Sequence, residues 1–161
     1  MISSARIRFA KTGPRRVEKF PDWGQKGRYR AIAAEVDRLL PDAKEQVHLK
    51  ATLLVWHAQA HLAMGSAELA LPSASASWEL EPSPHACHLA SNALEALGDL
   101  EASEDMLRVG WRLFPEAVHL PVQLAVVLSD QARLPEALRP RVSFVAGDML
   151  SATRGTFDFA V

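Results

Sequence analysis

Six histidines and one cysteine are the side chains of this 161-residue chain best suited to chemistry. Five of those seven fall in two short stretches. His57 and His61 stand four residues apart in "VWHAQAHLA", and His85, Cys87 and His88 share "HACH". Imidazole and thiolate are zinc ligands, so three or four of these groups could gather on one ion if the two stretches lay side by side. The spacing matches no standard zinc motif, and no carboxylate stands where it would orient a ligand from behind. The preferred reading is therefore packing or surface histidines, with no metal and no cofactor. Cys87 beside His88 suggests an activated nucleophile. Neighbours on a helix point about 100° apart and do not form a working pair, so Cys87 reads as a core thiol. No Gly-rich phosphate loop, dinucleotide fingerprint, nucleophile elbow or HExxH appears, and the chain is not expected to be an enzyme.

The elements that would position these groups follow from composition and pattern. Hydrophobic residues make up 48% of the chain and charged residues 23%, enough apolar material for one ordinary domain. Ala and Leu are abundant, which favours helices over sheet. A lone cysteine allows no internal disulfide. No apolar run approaches the roughly 18 residues that cross a membrane. Charge is uneven: residues 1–30 carry +7 and residues 31–161 carry −8. The basic head reads first as a solvated segment without fixed structure. Its lesser readings are a contact to nucleic acid or an anionic surface, and an organellar presequence, since "MISSARIRFAK" has Arg and Ser but no acid.

The chain also repeats itself. "WELEP" (Trp78 to Pro82) returns as "WRLFP" (Trp111 to Pro115), 33 residues on. "GSAELA" (Gly65 to Ala70) falls over "GDLEAS" (Gly98 to Ser103) at the same interval, and "ARLPEA" (Ala132 to Ala137) follows 34 later. "DRLLP" (Asp37 to Pro41) keeps the Leu and Pro of the five-residue signature. Each copy reads as a helix pair. Leu54, Ala58 and Leu62, then Leu89, Ala93 and Ala96, lie at helical spacing before the glycine. Gly65 and Gly98 end that first helix, because only glycine takes the left-handed cap without penalty. Asp99 is placed to accept from the free N–H groups of the second helix. That helix carries Leu100, Ser103, Met106 or Leu107, Gly110 and Leu113 on one side. Pro82 and Pro115 stop it. Trp78 and Trp111 are expected to pack on the next hairpin, with Leu80 and Leu113 in the seam. Pro72 predicts a kink or late start in its helix. The 41 residues from Pro41 to Pro82 predict one long helix from about Asp42 to Met64.

The period, the mid-repeat glycine and the closing proline resemble the tetratricopeptide repeat, a 34-residue helix–turn–helix. With the family's closing proline on Pro115, its small packing positions fall on Ser91, Ser103 and Gly110. The copy closing at Pro82 gives Ala58, Ala70 and Ser77, and the last copy gives Ala125, Ala132 and Ala137. Its usual fourth-position aromatic is replaced by Leu54, Cys87 and Pro121. The resemblance implies an all-α fold: a short right-handed solenoid of helix hairpins over residues 27–138, between a basic segment 1–26 and a non-repeat tail 139–161.

It also implies a function. First helices of such arrays line a concave groove for a peptide or partner helix. Carried over position by position, the groove is Thr52, Val55, Gln59 and Leu62, then His85, His88, Asn92 and Glu95, then His119, Val122, Val126 and Ser129. The peptide-binding candidates are Gln59, His85, His88, Asn92, Glu95 and His119, with the side-chain amides of Gln59 and Asn92 suited to an extended backbone. The family's Lys/Arg clamp for a C-terminal carboxylate is absent. The reading is a cytoplasmic protein-interaction scaffold, capable of homodimerising through its open ends.

The tail is different. After Arg139-Pro140, "RVSFVAGDMLSATRGTFDFAV" is strand-like and resembles a central piece of class I S-adenosylmethionine-dependent methyltransferases. That resemblance implies the alternative of a fragment of a larger methyltransferase. The upstream Gly-rich cofactor loop is missing, and Asp148 and Asp158 read as solvated residues.

Overall fold

The computed structural model describes residues 16–132. Those residues form seven α-helices in chain order and no strand: α1 (Phe20–Gln25), α2 (Tyr29–Leu39), α3 (Val47–Ala63), α4 (Ala67–Leu80), α5 (Pro84–Ala96), α6 (Leu100–Leu113) and α7 (His119–Ala132). The tail 139–161, with Asp148 and Asp158, lies outside the described residues, as do Ala137 and the first fifteen residues of the basic head.

Each helix packs on the next, and the first members of the hairpins also touch, α3 on α5 and α5 on α7. Glycine makes the turns. Gly27, Gly65 and Gly98 have φ of +66°, +78° and +83°. At each, the following N–H reaches back to the last turn of the helix: Arg28 to Trp23 O, Ser66 to His61 O, Asp99 to Leu94 O, at 2.8, 2.8 and 2.9 Å. The glycine's own N–H bonds the carbonyl one residue further along (Gly24, Leu62 and Glu95), each at 3.0 Å. This double bond pattern satisfies two carbonyls that a helix end would otherwise leave open. Asp99 then caps α6, its carboxylate accepting from Ala102 N–H at 3.0 Å, as its position predicts. The closing prolines behave as expected: α4 ends at Leu80 and α6 at Leu113, two residues before Pro82 and Pro115.

Three apolar clusters hold the helices. The first joins Phe20, Ile32, Val36, Leu39 and Leu53, with Trp56 edge-on to Phe20 at 5.7 Å. The second is a seam of small residues, Ala58, Ala70, Ala74, Ala90 and Ala93 with Leu89, which lets α3, α4 and α5 approach closely. The third joins Cys87, Leu107, Leu120, Leu124 and Val127, flanked by Trp78, Trp111 and Phe114. Trp78 meets the next hairpin as expected, its ring edge-on to Phe114 at 6.2 Å.

Several expectations are corrected. The long helix from Asp42 does not form. Pro41 sits in the first turn of a 3-10 segment, Leu40–Ala43, and α3 begins only at Val47. Pro72 does not delay its helix: α4 starts at Ala67 and continues past the proline to Leu80. Leu113 does not fill a seam but stands 56% exposed on the final residue of α6. Residues 20–26, assigned from sequence to the basic head, are folded, and Phe20 is fully buried.

Candidate functional site

The polar face of α5 is set by its N-terminus. Ser83 caps the helix, accepting from Ala86 N–H at 3.1 Å, and Pro84 opens it with φ already fixed for the helix. His85, His88, Asn92 and Glu95 then recur every three to four residues along one face. His119 opens α7 beside them, its ring edge-on to that of His88 at 5.6 Å.

A residue absent from the sequence-derived site ties this face together. Gln123, one turn after His119 on α7, accepts from His88 Nδ1 at 2.7 Å. Its amide nitrogen donates to Asn92 Oδ1 at 2.6 Å and to Glu95 Oε1 at 2.8 Å. Asn92 Nδ2 donates to His88 Nε2 at 3.1 Å, and Ser103 on α6 donates to Glu95 Oε1 at 3.2 Å. A single proton placement satisfies every bond: His88 neutral, with its proton on Nδ1. Asn92 is thus held from both ends of its amide rather than free. Beside the network, Val122 and Val126 on α7 are 65% and 50% exposed. His85 lies at the rim, its pKa held below the usual histidine value by surrounding protein, then by the potentials of His88 and His119.

Gln59 stands apart from this network, on α3. Its Oε1 is buried and has no hydrogen-bond partner among the described residues. Of the six candidate residues, His85, His88, Asn92, Glu95 and His119 are therefore brought together. Gln123 was missed because the family positions skip it; its amide, four residues after His119, was the signal in the sequence.

The other histidine pair is separate from the first. On α3 the rings of His57 and His61 lie 4.3 Å apart, with their Nε2 atoms at 3.1 Å. His57 Nδ1 meets Ser73 Oγ of α4 at 2.6 Å, and its Nε2 meets Asp37 Oδ1 of α2 at 3.2 Å. Asp37 supplies the carboxylate that the sequence had not shown beside these histidines. The order Asp37–His57–Ser73 is that of an acid–base–nucleophile relay. Nucleophilic chemistry does not follow from it. Ser73 is buried inside α4 beyond its first turn, where backbone N–H groups are bonded along the helix and none is left to hold an oxyanion.

Cys87 is a core thiol, fully buried, donating to Met106 O at 3.4 Å. Burial pushes its pKa up to about 11, so it is a poor nucleophile. The joint histidine–cysteine zinc set does not form: "HACH" is divided between the core and the α5–α7 face, while His57 and His61 bond elsewhere. No ready-made group of three His, Cys, Asp or Glu ligands occurs among the described residues. No helix among them is long and apolar enough to cross a membrane. Searches of protein-family models, curated proteins and solved structures find no match to this chain.

Proposed function

We propose that this chain is a protein-interaction module of tetratricopeptide type, a short solenoid that receives an extended segment or partner helix along α3, α5 and α7. One observation carries the reading. A half-buried polar network pre-orders the face shared by α5 and α7, and exposed Val122 and Val126 stand beside it. Fixed polar groups next to exposed apolar side chains suit a partner, because their ordering cost is already met before binding and the valines gain by leaving water. The groove residues in this reading are Gln59, His85, His88, Asn92, Glu95 and His119, joined by Gln123, Val122 and Val126. The methyltransferase alternative rests on residues 139–161 and has no observation among the described residues in its favour.

The test is to recover partners by affinity purification from the native source and compare binding by wild type and Val122→Asp/Val126→Asp. Both valines are exposed, so the variant should keep the wild-type melting temperature. A captured partner should bind it at least about tenfold more weakly, because two carboxylates would have to leave water where two apolar side chains do so readily. Unchanged affinity would remove the groove from the proposal.

A further inference from the structure

His88, Asn92 and Gln123 close a ring of three hydrogen bonds across α5 and α7. His88 Nδ1 meets Gln123 Oε1 at 2.7 Å, Gln123 Nε2 meets Asn92 Oδ1 at 2.6 Å, and Asn92 Nδ2 meets His88 Nε2 at 3.1 Å. Three contacts need three donors and three acceptors. Each amide gives the ring one of each, so the imidazole must also give one of each, and only a neutral histidine does. Turning either amide over leaves the count unchanged. An imidazolium gives two donors, and one contact must then set N–H against N–H. Charge-assisted bonds are the stronger, so Asn92 turns its oxygen to His88. The contact left without an acceptor is the one from Gln123 to Asn92, which joins α7 to α5. Gln123 cannot turn to relieve it, because its Nε2 also donates to Glu95 Oε1 at 2.8 Å and its oxygen holds His88.

We infer that this ring is a pH-sensitive latch: proton uptake by His88 opens a bond between α5 and α7 and loosens the α7 wall of the groove, so that mild acid releases a partner. The partner's release rests on the function proposed above; the loosening of α7 does not, since it occurs in the free chain. The setting opposes the second proton on His88. His85 is the second residue of α5 and His119 the first of α7, where the positive ends of the helix dipoles disfavour a cation. The rings of His88 and His119 are 5.6 Å apart. The carboxylate in the network, Glu95, already accepts from Gln123 and Ser103 on Oε1. Against the cluster that holds Leu89, Ala90 and Ala93 of α5 pack Val55, Leu62, Leu71 and Met106, none of which titrates. Glu104, the buried carboxylate of α6, is held by Arg108 and Gln131. His85 adds in the same sense: burial, then the potentials of His88 and His119, hold its pKa below the ordinary 6.5, so the folded chain takes that proton later than the unfolded one. Its contribution is complete above 6.5 and is lost as pH falls below it.

The experiment follows amide hydrogen exchange of the full chain, without partner, at pH 7.5, 6.5 and 5.5, read as protection factors, with NMR of the His88 ring. Protection of α7 should fall about three- to tenfold from pH 7.5 to 5.5, in step with protonation of His88. His88→Gln should lose most of that fall. Asn92→Asp is the sharper test. A carboxylate there gives the ring two acceptors, so only an imidazolium at His88 closes it, and protection of α7 should hold or rise as pH drops. Constant protection of α7 in wild type overturns the inference, and so does an Asn92→Asp chain that loosens as wild type does. If Asn92→Asp fails to fold, His88→Gln decides: a fall as large as that of wild type rejects the latch. If α7 loosens while a captured partner stays bound at pH 5.5, the latch stands and the groove reading falls.

Discussion

The hairpins α3–α4 and α5–α6 share turn and stop, yet they place most of their polar contacts on different sides. A shift of 33 residues carries His57, His61 and Ser73 onto Ala90, Leu94 and Met106. The same shift carries His88, Asn92 and Glu95 back onto Val55, Gln59 and Leu62. The first hairpin thus has a polar contact between its own helices, where Ser73 of α4 meets His57 of α3, and sets Val55 and Leu62 where the second has His88 and Glu95. The second joins its own helices through the Ser103–Glu95 bond and directs the rest of its polar network toward α7. The backbone is repeated; the chemistry is not. A repeat needs small or apolar residues at its seams, and the remaining positions are free to diverge.

The sharpest break between the two hairpins is at one packing slot. Ser77 in α4 donates to Ala51 O at 2.9 Å, while its counterpart in α6 is Gly110, lying against Cys87. A Cβ at Gly110 would overlap the Cys87 sulfur. Gly110→Ser, which makes the hairpins alike, should therefore destabilise. Overpacking costs about 1–3 kcal/mol, more than the gain of a few tenths from replacing a helical glycine with serine. Thermal unfolding measures it, and Cys87→Ala in the same chain should restore part of the loss. If Gly110→Ser is neutral, the two slots are equivalent and the contrast fails.

The next largest effect should come from Gln123→Leu. It takes the partner from His88 Nδ1, Asn92 Oδ1 and Glu95 Oε1 together, and should cost about 1–2 kcal/mol, since water reaches part of this face. Denaturant unfolding gives the loss, and ring NMR of His88 should show its fixed tautomer relax. An unchanged His88 signal would mean that α5 orders the network without α7.

Much of this architecture is legible in the sequence, because it depends on residues with few alternatives. Gly65 and Gly98 mark turns since positive φ admits little else, and Pro82 and Pro115 mark stops since they cannot donate. The paired "W-x-L-x-P" stretches fix the register between them. The failures have equally physical causes. The start of α3 at Val47 depends on how the chain folds around Pro41, which local pattern does not specify. Phe20 looked like part of a solvated head because charge dominates its neighbourhood, yet one aromatic side chain with a cavity to fill outweighs that local signal. The candidate face was found as five residues, but Gln123 was not, since hydrogen bonding across helices leaves no periodic trace. Asp37 was missed beside His57 for the same reason.

In the first hairpin the corresponding test is Ser73→Ala. It removes the single bond to His57 Nδ1 and should cost about 1 kcal/mol, less than Gln123→Leu, because one hydrogen bond goes rather than three. Equal or greater loss would make the inner cluster of α3–α4, rather than the α5–α7 network, the more important polar contact of the fold.

The smallest effect is expected where charge lies at the surface, on α2. Glu35 accepts from Arg38 at 2.7 Å and from Arg16 at 2.8 Å. The Arg38 bond holds its pKa down at about 2, against the opposing effect of partial burial and with help from Arg16. The sign follows from which state binds the proton first. Unfolded, Glu35 takes a proton near its ordinary value of 4.5; folded, it resists until about 2. Its contribution is therefore complete above the unfolded value and is lost as pH falls from about 4.5 to about 2. Both arginines are solvent-exposed, so screening reduces the contribution to about 1 kcal/mol or less, smaller still in high salt. Denaturant unfolding at pH 6, 4 and 3 should show the decline in wild type and a flatter profile in Glu35→Gln. If Glu35→Gln leaves the acid decline intact, other carboxylates carry it. The surface charge of α2 would then contribute nothing that the two hairpins do not already supply.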